Sequence, residues 1–550
     1  MTPRAALLAR LGAMRYDVLI IGGGIVGAGI ARDAAMRGLR VALIEQGDFA
    51  SGTSSKTSKL IHGGLRYLEH GHVRLVFESL RERQVLRTIA PAFVHPLSLL
   101  LPMYEGDARG AWKISLGLWL YDVLAWGRRV RSHRMLSARR AVMLEPGLRV
   151  DGLRAAGLYA DCQMDDARLC LANILQARNF GAVCGNYVRL RSFLKVNGHL
   201  CGAVAEDVLT GRCLEIQARV VVNATGPWAD RTRQLSDQAA PARLAATKGI
   251  HLILPRLTQE ALFVQARADA RMLFLLPWGD HSLVGTTETS VDDSLDTLRA
   301  TADEVGYLLE EVNRILPGSH VEEADIISTF AGARPLLAFS GPSATKASRE
   351  HRIEVDRSGL VSVMGGKYTT YRRMAEQVVD VIVRRHHWKA DRGLSDQISL
   401  VEALHPITLD HWQDVTRHVD PDLLARLLTR YGAGTVHLLQ LLAREPTLAH
   451  PVCPHHEYIE AELIHAFQEE LACTITDVLA RRTRMAWSPC QGLDALSKVT
   501  ELFQRYGALS PAQVDEQVDD YHHFLAQGLA FRATRLPEQL GVRIHEARRE

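Results

Sequence analysis

YDVLIIGGGIVGAG, residues 16–29, places three consecutive glycines directly after a run of apolar residues. Residues 18–21 are valine, leucine and isoleucine without polar alternation, which predicts a strand buried on both faces, as in a parallel sheet. Glycines cost backbone entropy and have no side chain to pack. Three of them together therefore indicate either a plain turn or a place where a ligand comes close to the backbone.

The residues around the glycines favour a ligand. Gly22, Gly24 and Gly27 have the spacing G-x-G-x-x-G, a predicted helix follows over AGIARDAAMRG, and a second predicted strand, LRVALIEQ, leads to Glu45. This order is that of a dinucleotide-binding unit. In such a unit the first glycine makes the turn, the second lets the backbone touch a pyrophosphate, and the third lets helix and strand pack closely. Glu45 would accept the ribose hydroxyls, and its charge would repel the 2′-phosphate of NADP.

Length and composition are those of an ordinary globular enzyme. At 550 residues the chain predicts three or four domain-sized units. A net charge of +3 is too small to indicate nucleic-acid binding. The eight cysteines form no C-x-x-C motif, and with no secretory signal recognised they are expected to be reduced thiols in the cytoplasm. No window is apolar enough to predict a membrane-spanning helix.

Three further segments distinguish FAD from NAD. The loop Phe49–Gly71 is dense in serine, threonine and glycine, which suits wrapping a polar ligand. Val220–Asn223 is a predicted strand that ends in the sequence ATG, and another predicted strand ends in Gly365 and Gly366 before a helix that begins near Thr369. The N-terminus of that helix would stabilise negative charge on a reduced flavin ring. A simple NAD enzyme does not need this third element, so FAD is favoured.

Several motifs resemble a known family. The glycine turn together with SGTSSKTSKLIHGGLRYLEHG, NATGPWAD, TKGIHLIL, GTTE, AGARPL and GGKYTTYRRMAE resembles the aerobic, respiratory form of FAD-dependent glycerol-3-phosphate dehydrogenase. The resemblance runs in order over residues 16–376 and resumes at YIEAELIHAFQEELACTITDVLARRTRMAW. It implies oxidation of sn-glycerol 3-phosphate to dihydroxyacetone phosphate by hydride transfer to FAD, with the electrons passed to ubiquinone. It further implies a homodimer held peripherally on the cytoplasmic face of the bacterial inner membrane.

The resemblance also implies a fold. It is an α/β, Rossmann-like FAD-binding domain of the glutathione-reductase or D-amino-acid-oxidase type, with an inserted β-rich substrate domain and a C-terminal all-α domain. The expected boundaries are 1–15 for an N-terminal extension, 16–393 for the two interleaved domains and 394–550 for the helical domain. Within the interleaved part, we expect FAD binding from about 16–100, 155–230 and 350–393, and substrate binding from about 100–154 and 231–349. The loss of β-branched runs beyond Gly393 independently indicates the helical domain.

Motif matching assigns the cofactor contacts. The residues expected to bind FAD are Gly22, Gly24, Gly27, Glu45, Thr53, Ser54, Ser58, Leu60, His62, Gly63, Gly64, Val188, Ala224, Gly226, Gly366, Lys367 and Thr369.

Motif matching also assigns the substrate site. Expected catalytic residues are His251, Arg334 and Lys367, and expected substrate-binding residues are Arg66, Tyr67, Arg349 and Thr369. An arginine fork suits phosphate oxygens, and a lysine adds a point charge. Arg334 lies just after Gly332 in an apolar run, where an unpaired surface charge would be unusual and where it can approach a ligand. Arg349 is equally consistent with a surface salt bridge.

The general base is left open by the sequence. His251 alternates against apolar neighbours on a predicted strand, where histidines are often core residues with their hydrogen bonds satisfied. The resemblance places it near the substrate. Whether His251, Lys367 or a guanidinium takes the proton depends on geometry.

The segment AWKISLGLWLYDVLAWGRRVRSHR, residues 111–134, predicts a helix with an aromatic face. Trp112, Leu116, Trp119, Val123 and Trp126 share that face, and Arg128, Arg129, Arg131 and Arg134 follow. Tryptophans beside arginines suit a lipid interface, whereas a buried core helix with a basic end is the alternative. The resemblance favours the membrane.

Two C-terminal segments complete the analysis. HPVCPHHEY contains His450, Cys453, His455 and His456, but its spacing fits no tetrahedral pattern with a second ligand pair, and its prolines suggest an exposed linker, so no metal is expected. DVLARRTRMAW is predicted to be helix surface and domain contact.

Two other functions remain open. One is an oxidase of the same fold that returns electrons to oxygen, and the other is a non-enzymatic flavoprotein that senses redox state.

Overall fold

The computed structural model describes residues 3–107, 109–291, 294–338, 350–402, 411–507 and 509–535. They form two sheets, the helices that cover them, and a helical C-terminal part.

The first sheet carries the glycine turn. Its strands are β1 (Arg15–Ile21), β2 (Val41–Ile44), β7 (Val183–Gly185), β8 (Val188–Val196), β9 (His199–Asp207), β10 (Cys213–Asn223), β17 (His351–Val355) and β18 (Val361–Gly365). Strands β18, β10, β1, β2 and β7 lie side by side in that order and run parallel. β17 extends the sheet antiparallel at one edge, and β8 and β9 continue from β10 as an antiparallel ribbon.

Helices cover both faces of this sheet. They are α1 (Pro3–Ala13), α2 (Ile25–Met36), α3 (Val73–Ile89), α6 (Asp166–Asn179), α7 (Ala229–Ser236) and α9 (Tyr371–His386). α2 packs against α6 and α9 over one face. Val18, Leu19 and Ile20 are fully buried between the covered faces, as the unbroken apolar run predicts.

The residues before β1 form a packed helix. Leu11 of α1 is fully buried against the sheet face opposite α2. Arg4 forms an ion pair with Asp207, and the Tyr16 hydroxyl donates a hydrogen bond to the carbonyl of Arg10 at 2.8 Å. The expected N-terminal extension is therefore part of this layer.

The second sheet is larger and mostly antiparallel. Its strands are β3 (Leu60–Ile61), β4 (Val94–Tyr104), β5 (Arg134–Ser137), β6 (Leu153–Met164), β11 (Leu244–Pro255), β12 (Ala261–Gln265), β13 (Met272–Trp278), β14 (His281–Gly285), β15 (Thr289–Ser290) and β16 (Ser328–Leu337). The helices beside it are α4 (Ala111–Leu124), α5 (Ala138–Leu144) and α8 (Ala302–Ile315). β4 and β6 pair along their whole length and cross the expected boundaries near residues 100 and 155.

The C-terminal part is helical. Its helices are α10 (Gln413–Thr416), α11 (Pro421–Tyr431), α12 (Thr435–Arg444), α13 (Glu460–Gln468), α14 (Ile475–Asp477), α15 (Leu496–Tyr506) and α16 (Pro511–Gly528). A π-helical turn, Val478–Arg482, continues α14. These helices bury an apolar core of their own, separate from the cores of the two sheets.

Buried ion pairs join the helical part to the first layer. Asp48, which follows β2, accepts hydrogen bonds from Nε of Arg481 at 2.6 Å and from Nη2 of Arg482 at 2.8 Å. Burial alone would raise the pKa of Asp48, but the two arginines lower it to about 2. Arg482 is itself buried, so this segment of the helical part makes the contact with the first layer that was predicted for DVLARRTRMAW.

Helix α4 exposes the aromatic face predicted from the sequence. The side chains of Trp112 and Trp119 on α4, and of Trp126 in the turn just after it, are 68%, 57% and 76% exposed, whereas Leu118 and Tyr121 on the other side of the helix are buried. The face is therefore not part of the core. Across the described part of the chain, every helix is too short or too polar to cross a bilayer.

Candidate functional site

A cavity of about 1080 Å³ lies between the two sheets. The carboxyl ends of β1, β2 and β10 form one end of it, and side chains from β11, β12, β13 and β16 form the other. Ligands of open α/β sheets bind outside the carboxyl ends of the parallel strands, which is where this cavity opens.

The glycine turn forms the floor of the nucleotide end. Gly22 has φ +109°, and a Cβ there would lie 2.6 Å from the carbonyl oxygen of Ala224. A Cβ on Gly27 would overlap the carbonyl oxygen of Gly22. Gly24 lines the cavity as the residue that caps the N-terminus of α2. Side chains at these positions would fill the space that a pyrophosphate needs or force helix and strand apart.

Glu45 lies directly after β2, at the position of a ribose-binding acid. Its carboxylate accepts hydrogen bonds from the backbone N–H of Gly23 at 2.7 Å and of Gly47 at 2.9 Å. Burial raises the pKa of Glu45, and the two N–H groups oppose that shift. The carboxylate thus holds the glycine turn in place while it lines the cavity.

Hydroxyl groups fasten the loop Phe49–Gly71 to both layers. Ser54 Oγ accepts from the N–H of Ile25 at 2.9 Å, and Thr53 Oγ1 donates to the carbonyl of Ala333 at 2.8 Å. A Cβ on Gly332 would lie 2.6 Å from the carbonyl oxygen of Lys56. Gly332 therefore makes room for this loop, and it lines the cavity beside Arg334.

Most of the residues expected to bind FAD line the cavity. They are Gly22, Gly24, Glu45, Thr53, Ser54, Ser58, Leu60, His62, Gly64, Val188, Ala224, Gly226, Gly366, Lys367 and Thr369. Gly27 and Gly63 lie behind its wall. The N–H of Gly63 donates to the Tyr121 hydroxyl of α4 at 2.9 Å, and a Cβ on Gly63 would clash with the side chains of Tyr121 and Leu80.

Three cationic side chains line the opposite end. The guanidinium of Arg66 has neither an ion pair nor a hydrogen bond with the described residues. Nη2 of Arg334 donates to Thr286 Oγ1 at 2.8 Å and to the Thr287 carbonyl at 3.0 Å. Lys367 places its Nζ 3.7 Å from the ring centroid of Tyr67. Arg349 lies outside the described residues.

His251 of β11 joins this group. Its ring stacks on Phe330 with the centroids 5.0 Å apart, and its Nε2 lies 2.9 Å from Ser58 Oγ. Its Nδ1 has no hydrogen-bond partner within the described part of the chain. Burial, followed by the charges of Arg334 and Lys59, holds the pKa of His251 well below its usual range. The imidazole is therefore neutral near pH 7, which is the form that accepts a proton.

Two glycines outside the predicted site residues give the side chains of Arg334 and His251 their space. A Cβ on Gly249 would collide with the guanidinium of Arg334, and a Cβ on Gly285 would collide with the ring of His251. Both glycines lie within strands, where glycine often marks the close approach of another group. A glycine within a predicted strand was therefore the sequence signal for these two positions, and it is present in the motifs TKGIHLIL and GTTE.

Known proteins resemble this chain over most of its length. Residues 17–380 match the family model of FAD dependent oxidoreductases, and residues 390–514 match that of the C-terminal domain of alpha-glycerophosphate oxidase. The glycerol-3-phosphate dehydrogenase of Synechocystis is 36% identical over 535 residues, which cover 93% of this chain and 96% of the relative. The chain belongs to the FAD-dependent glycerol-3-phosphate dehydrogenase family. The predicted family is thereby confirmed.

Other members of the family agree. The aerobic glycerol-3-phosphate dehydrogenase of Bacillus subtilis is 35% identical over 499 residues, covering 87% of this chain and 89% of the relative. The crystal structure of the glycerol-3-phosphate dehydrogenase from Bacillus halodurans, complexed with FAD, matches with a TM-score of 0.76 and 27% identity, covering 96% of this chain and 97% of that one. These matches confirm the predicted fold class and the predicted cofactor, FAD.

The cavity fits FAD on its own chemistry. The glycine cradle at the N-terminus of α2 suits the pyrophosphate, and Glu45 suits the ribose. When bound, FAD supplies the acceptor for a hydride equivalent.

Proposed function

We propose that this chain oxidises sn-glycerol 3-phosphate to dihydroxyacetone phosphate and passes the electrons through FAD to ubiquinone at a membrane surface. The observation that carries the proposal is the meeting of Arg66, Arg334, Lys367 and neutral His251 in the cavity that also contains the FAD cradle. The names of the relatives supply the substrate, and the side chains supply the chemistry that it needs.

The cations bind the phosphate. A phosphate monoester carries close to two negative charges at neutral pH, and burying it requires positive partners with hydrogen-bond donors. Arg66 offers its full set of donors to a ligand, because no described residue pairs with it. Arg334 is oriented by Thr286 and Thr287, which fixes the direction in which its remaining donors point.

The base removes the proton from the C2 hydroxyl. As that proton moves to His251, the hydrogen on C2 leaves with its electron pair, and C2 and its oxygen become the carbonyl of dihydroxyacetone phosphate. Protonated His251 lies close to two cations, Arg334 and Lys59, so it returns the proton readily to solvent. Tyr67 and Lys367, in contact with each other, close the same side of the cavity.

The exposed face of α4 docks on lipid. Its tryptophans are followed by the exposed Arg131 and Arg134, which suit anionic headgroups. The opposite side of the helix reaches the cavity wall, because the Tyr121 hydroxyl contacts the N–H of Gly63. Helix α4 thus connects the cavity wall with the proposed docking face, and a membrane quinone is the proposed electron acceptor.

The oxidase remains the second candidate, because the C-terminal family model takes its name from an oxidase. A redox sensor without catalysis is disfavoured, since it would have no use for three cations and a neutral histidine at one cofactor face.

One experiment separates these functions. Glycerol 3-phosphate is added anaerobically to the purified holoenzyme while the flavin absorbance is recorded. Rapid bleaching supports the dehydrogenase and the oxidase, and no bleaching contradicts both. Oxygen or a soluble ubiquinone analogue is then admitted. Reoxidation by the quinone with little hydrogen peroxide supports the proposal, whereas rapid reoxidation by oxygen with stoichiometric peroxide supports the oxidase.

A further inference from the structure

Two cysteines and a histidine meet in the helical C-terminal part. Cys453 and His456 lie on the loop between α12 and α13, and Cys490 lies on the loop that leads to α15. One ligand atom from each side chain, the two Sγ atoms and a ring nitrogen of His456, all lie within 4.8 Å of one another. This group is far in sequence from the residues of the FAD cavity and does not line it.

The distance between His456 and Cys490 is that of a tetrahedral site, and the distances to Cys453 are within an ångström or so of it. Zinc bonds of about 2.3 Å to sulfur and about 2.0–2.1 Å to nitrogen place neighbouring ligand atoms roughly 3.5–3.8 Å apart. Nε2 of His456 lies 3.8 Å from Sγ of Cys490. Small side-chain movements are therefore enough to bring all three atoms to one ion.

The surroundings aim the three side chains at a common point. Cys453 is buried, and its Sγ accepts a hydrogen bond from the N–H of His455 at 3.5 Å. The hydroxyl of Ser488 lies 2.9 Å from Nε2 of His456 and 3.3 Å from Sγ of Cys490, so both ligands turn toward the same buried polar point.

We propose that Cys453, His456 and Cys490 bind one Zn²⁺ ion. Two thiolates and a neutral imidazole balance its charge, and binding releases the two thiol protons to solvent. The donor set of soft sulfur and imidazole nitrogen favours zinc over magnesium or calcium. The nearby side chains of His455 and Asp494 are exposed, so water reaches this side and completes the coordination.

No metal is expected in HPVCPHHEY from the sequence, because its spacing fits no tetrahedral pattern with a second ligand pair elsewhere and its prolines suggest an exposed linker. Cys490 lies 34 residues beyond His456 and enters the site through the fold. A disulfide between the two cysteines is the competing arrangement, but both are free thiols in the structure, and a disulfide would not use the histidine.

The ion would tie two loops together. The second loop carries Trp487, whose ring packs against Phe330 with the centroids 5.9 Å apart. Phe330 in turn stacks on His251. Bound zinc would therefore stabilise the contact of Trp487 with Phe330, and through it the position of His251, the proposed base.

Metal analysis of the purified holoenzyme tests the proposal. Zinc per chain is measured by plasma mass spectrometry for the wild type, Cys453→Ser and Cys490→Ser, with Cys213→Ser as an exposed thiol control and His455→Gln as an imidazole control. We expect stoichiometric zinc in the wild type and in both controls. Each ligand variant should lose at least about a hundredfold in zinc affinity, measured by competition with a chromophoric chelator. Wild-type protein without zinc, ligand variants that retain it, or controls that lose it would overturn the assignment.

Cobalt substitution of the wild type keeps the test decisive if a cysteine variant does not fold. Co²⁺ added to chelator-treated holoenzyme should give thiolate-to-cobalt charge-transfer bands and intense tetrahedral bands in the red, where oxidised flavin does not absorb. Octahedral cobalt spectra, or a Cys453–Cys490 disulfide found by mass spectrometry under the same conditions, would overturn the proposal.

Discussion

Nε2 of His251 lies 2.9 Å from Oγ of Ser58, so the second sheet is tied to the loop that wraps the cofactor. The bond fixes the orientation of the imidazole, and the stack on Phe330 fixes its plane. The proposed proton acceptor and the wall of the cofactor cavity are thus joined, which holds the imidazole of His251 in one orientation.

The depressed pKa of His251 predicts the acid limb of the pH profile. Activity should fall only well below the usual histidine pKa, because burial and, after it, the charges of Arg334 and Lys59 disfavour the protonated ring. Arg334→Gln removes one of those charges, so the pKa of His251 rises and the limb of kcat/KM should move to higher pH. Arg334→Lys keeps the charge and should leave the limb in place. Comparing variants on one substrate cancels the ionisation of the substrate phosphate, and an unchanged limb in Arg334→Gln would show that another group is the base.

Arg334 should discriminate for phosphate. Losing a charge-assisted hydrogen bond to phosphate costs roughly 1.5–3 kcal/mol, so Arg334→Ala should lower kcat/KM for glycerol 3-phosphate by about ten- to a hundredfold. Arg334→Lys should recover part of this, because it keeps the charge and loses the fork. Activity toward glycerol should hardly change. Equal losses on both substrates in steady-state kinetics would assign Arg334 to the fold or the flavin instead.

Gly249→Ala tests the position of the Arg334 guanidinium without replacing Arg334 itself. The added methyl group would occupy the place of the Arg334 guanidinium and displace it without removing its charge. We therefore expect a loss of kcat/KM comparable with that of Arg334→Lys, while flavin content stays complete. Gly306→Ala, where a Cβ meets nothing within 4 Å, is the matched control. Wild-type kinetics in Gly249→Ala would show that the guanidinium has room to move.

Gly24→Val should abolish flavin binding. A branched side chain at this position would stand in the cavity beside Ser54 Oγ, which lies only 3.1 Å from a Cβ there, and would take the space of the pyrophosphate. The readout is the ratio of flavin to protein absorbance after purification. Gly306→Val should purify with full flavin. A yellow, fully occupied Gly24→Val would place the cofactor elsewhere.

The aromatic face of α4 should control membrane binding. Replacing Trp119 and Trp126 together with serine removes exposed apolar area and leaves the buried side of the helix intact, so sedimentation with anionic phospholipid vesicles should fall sharply. Activity with an artificial electron acceptor should survive. Phe180→Ser, an exposed aromatic on α6's C-terminal end, should leave vesicle binding unchanged. Loss of flavin or precipitation of the tryptophan variant would instead assign the face to folding.

The local part of the fold was predictable from the sequence, and the reason is visible at Glu45. Strand, turn, helix and acid are specified by residues within about thirty positions of one another, and the structure contains each of them. The exposure of the α4 face was left open because periodicity shows which side chains share a face and does not show what covers that face.

Contacts between distant segments were not predictable. The absence of a side chain at Gly249 leaves space for the guanidinium of Arg334 on β16. Cys490 completes the ligand group that also contains Cys453. In the same way, the sequence around Arg482 is that of an ordinary basic helix residue, and only the fold shows that its guanidinium pairs with the carboxylate of Asp48. The role of each of these residues depends on a partner that is distant in the sequence, and no local sequence pattern identifies that partner.

The ion pair between Asp48 and Arg482 joins residues that are 434 positions apart in the chain. Strand β1 likewise pairs with β10, which follows it at a long distance in the sequence. As the polypeptide leaves the ribosome, the cofactor turn is among the first segments to emerge, whereas its strand partner β10 and the arginines that pair with Asp48 are translated much later. The cavity for FAD is therefore complete only after most of the chain has been synthesised, since residues as late as Met374 line it.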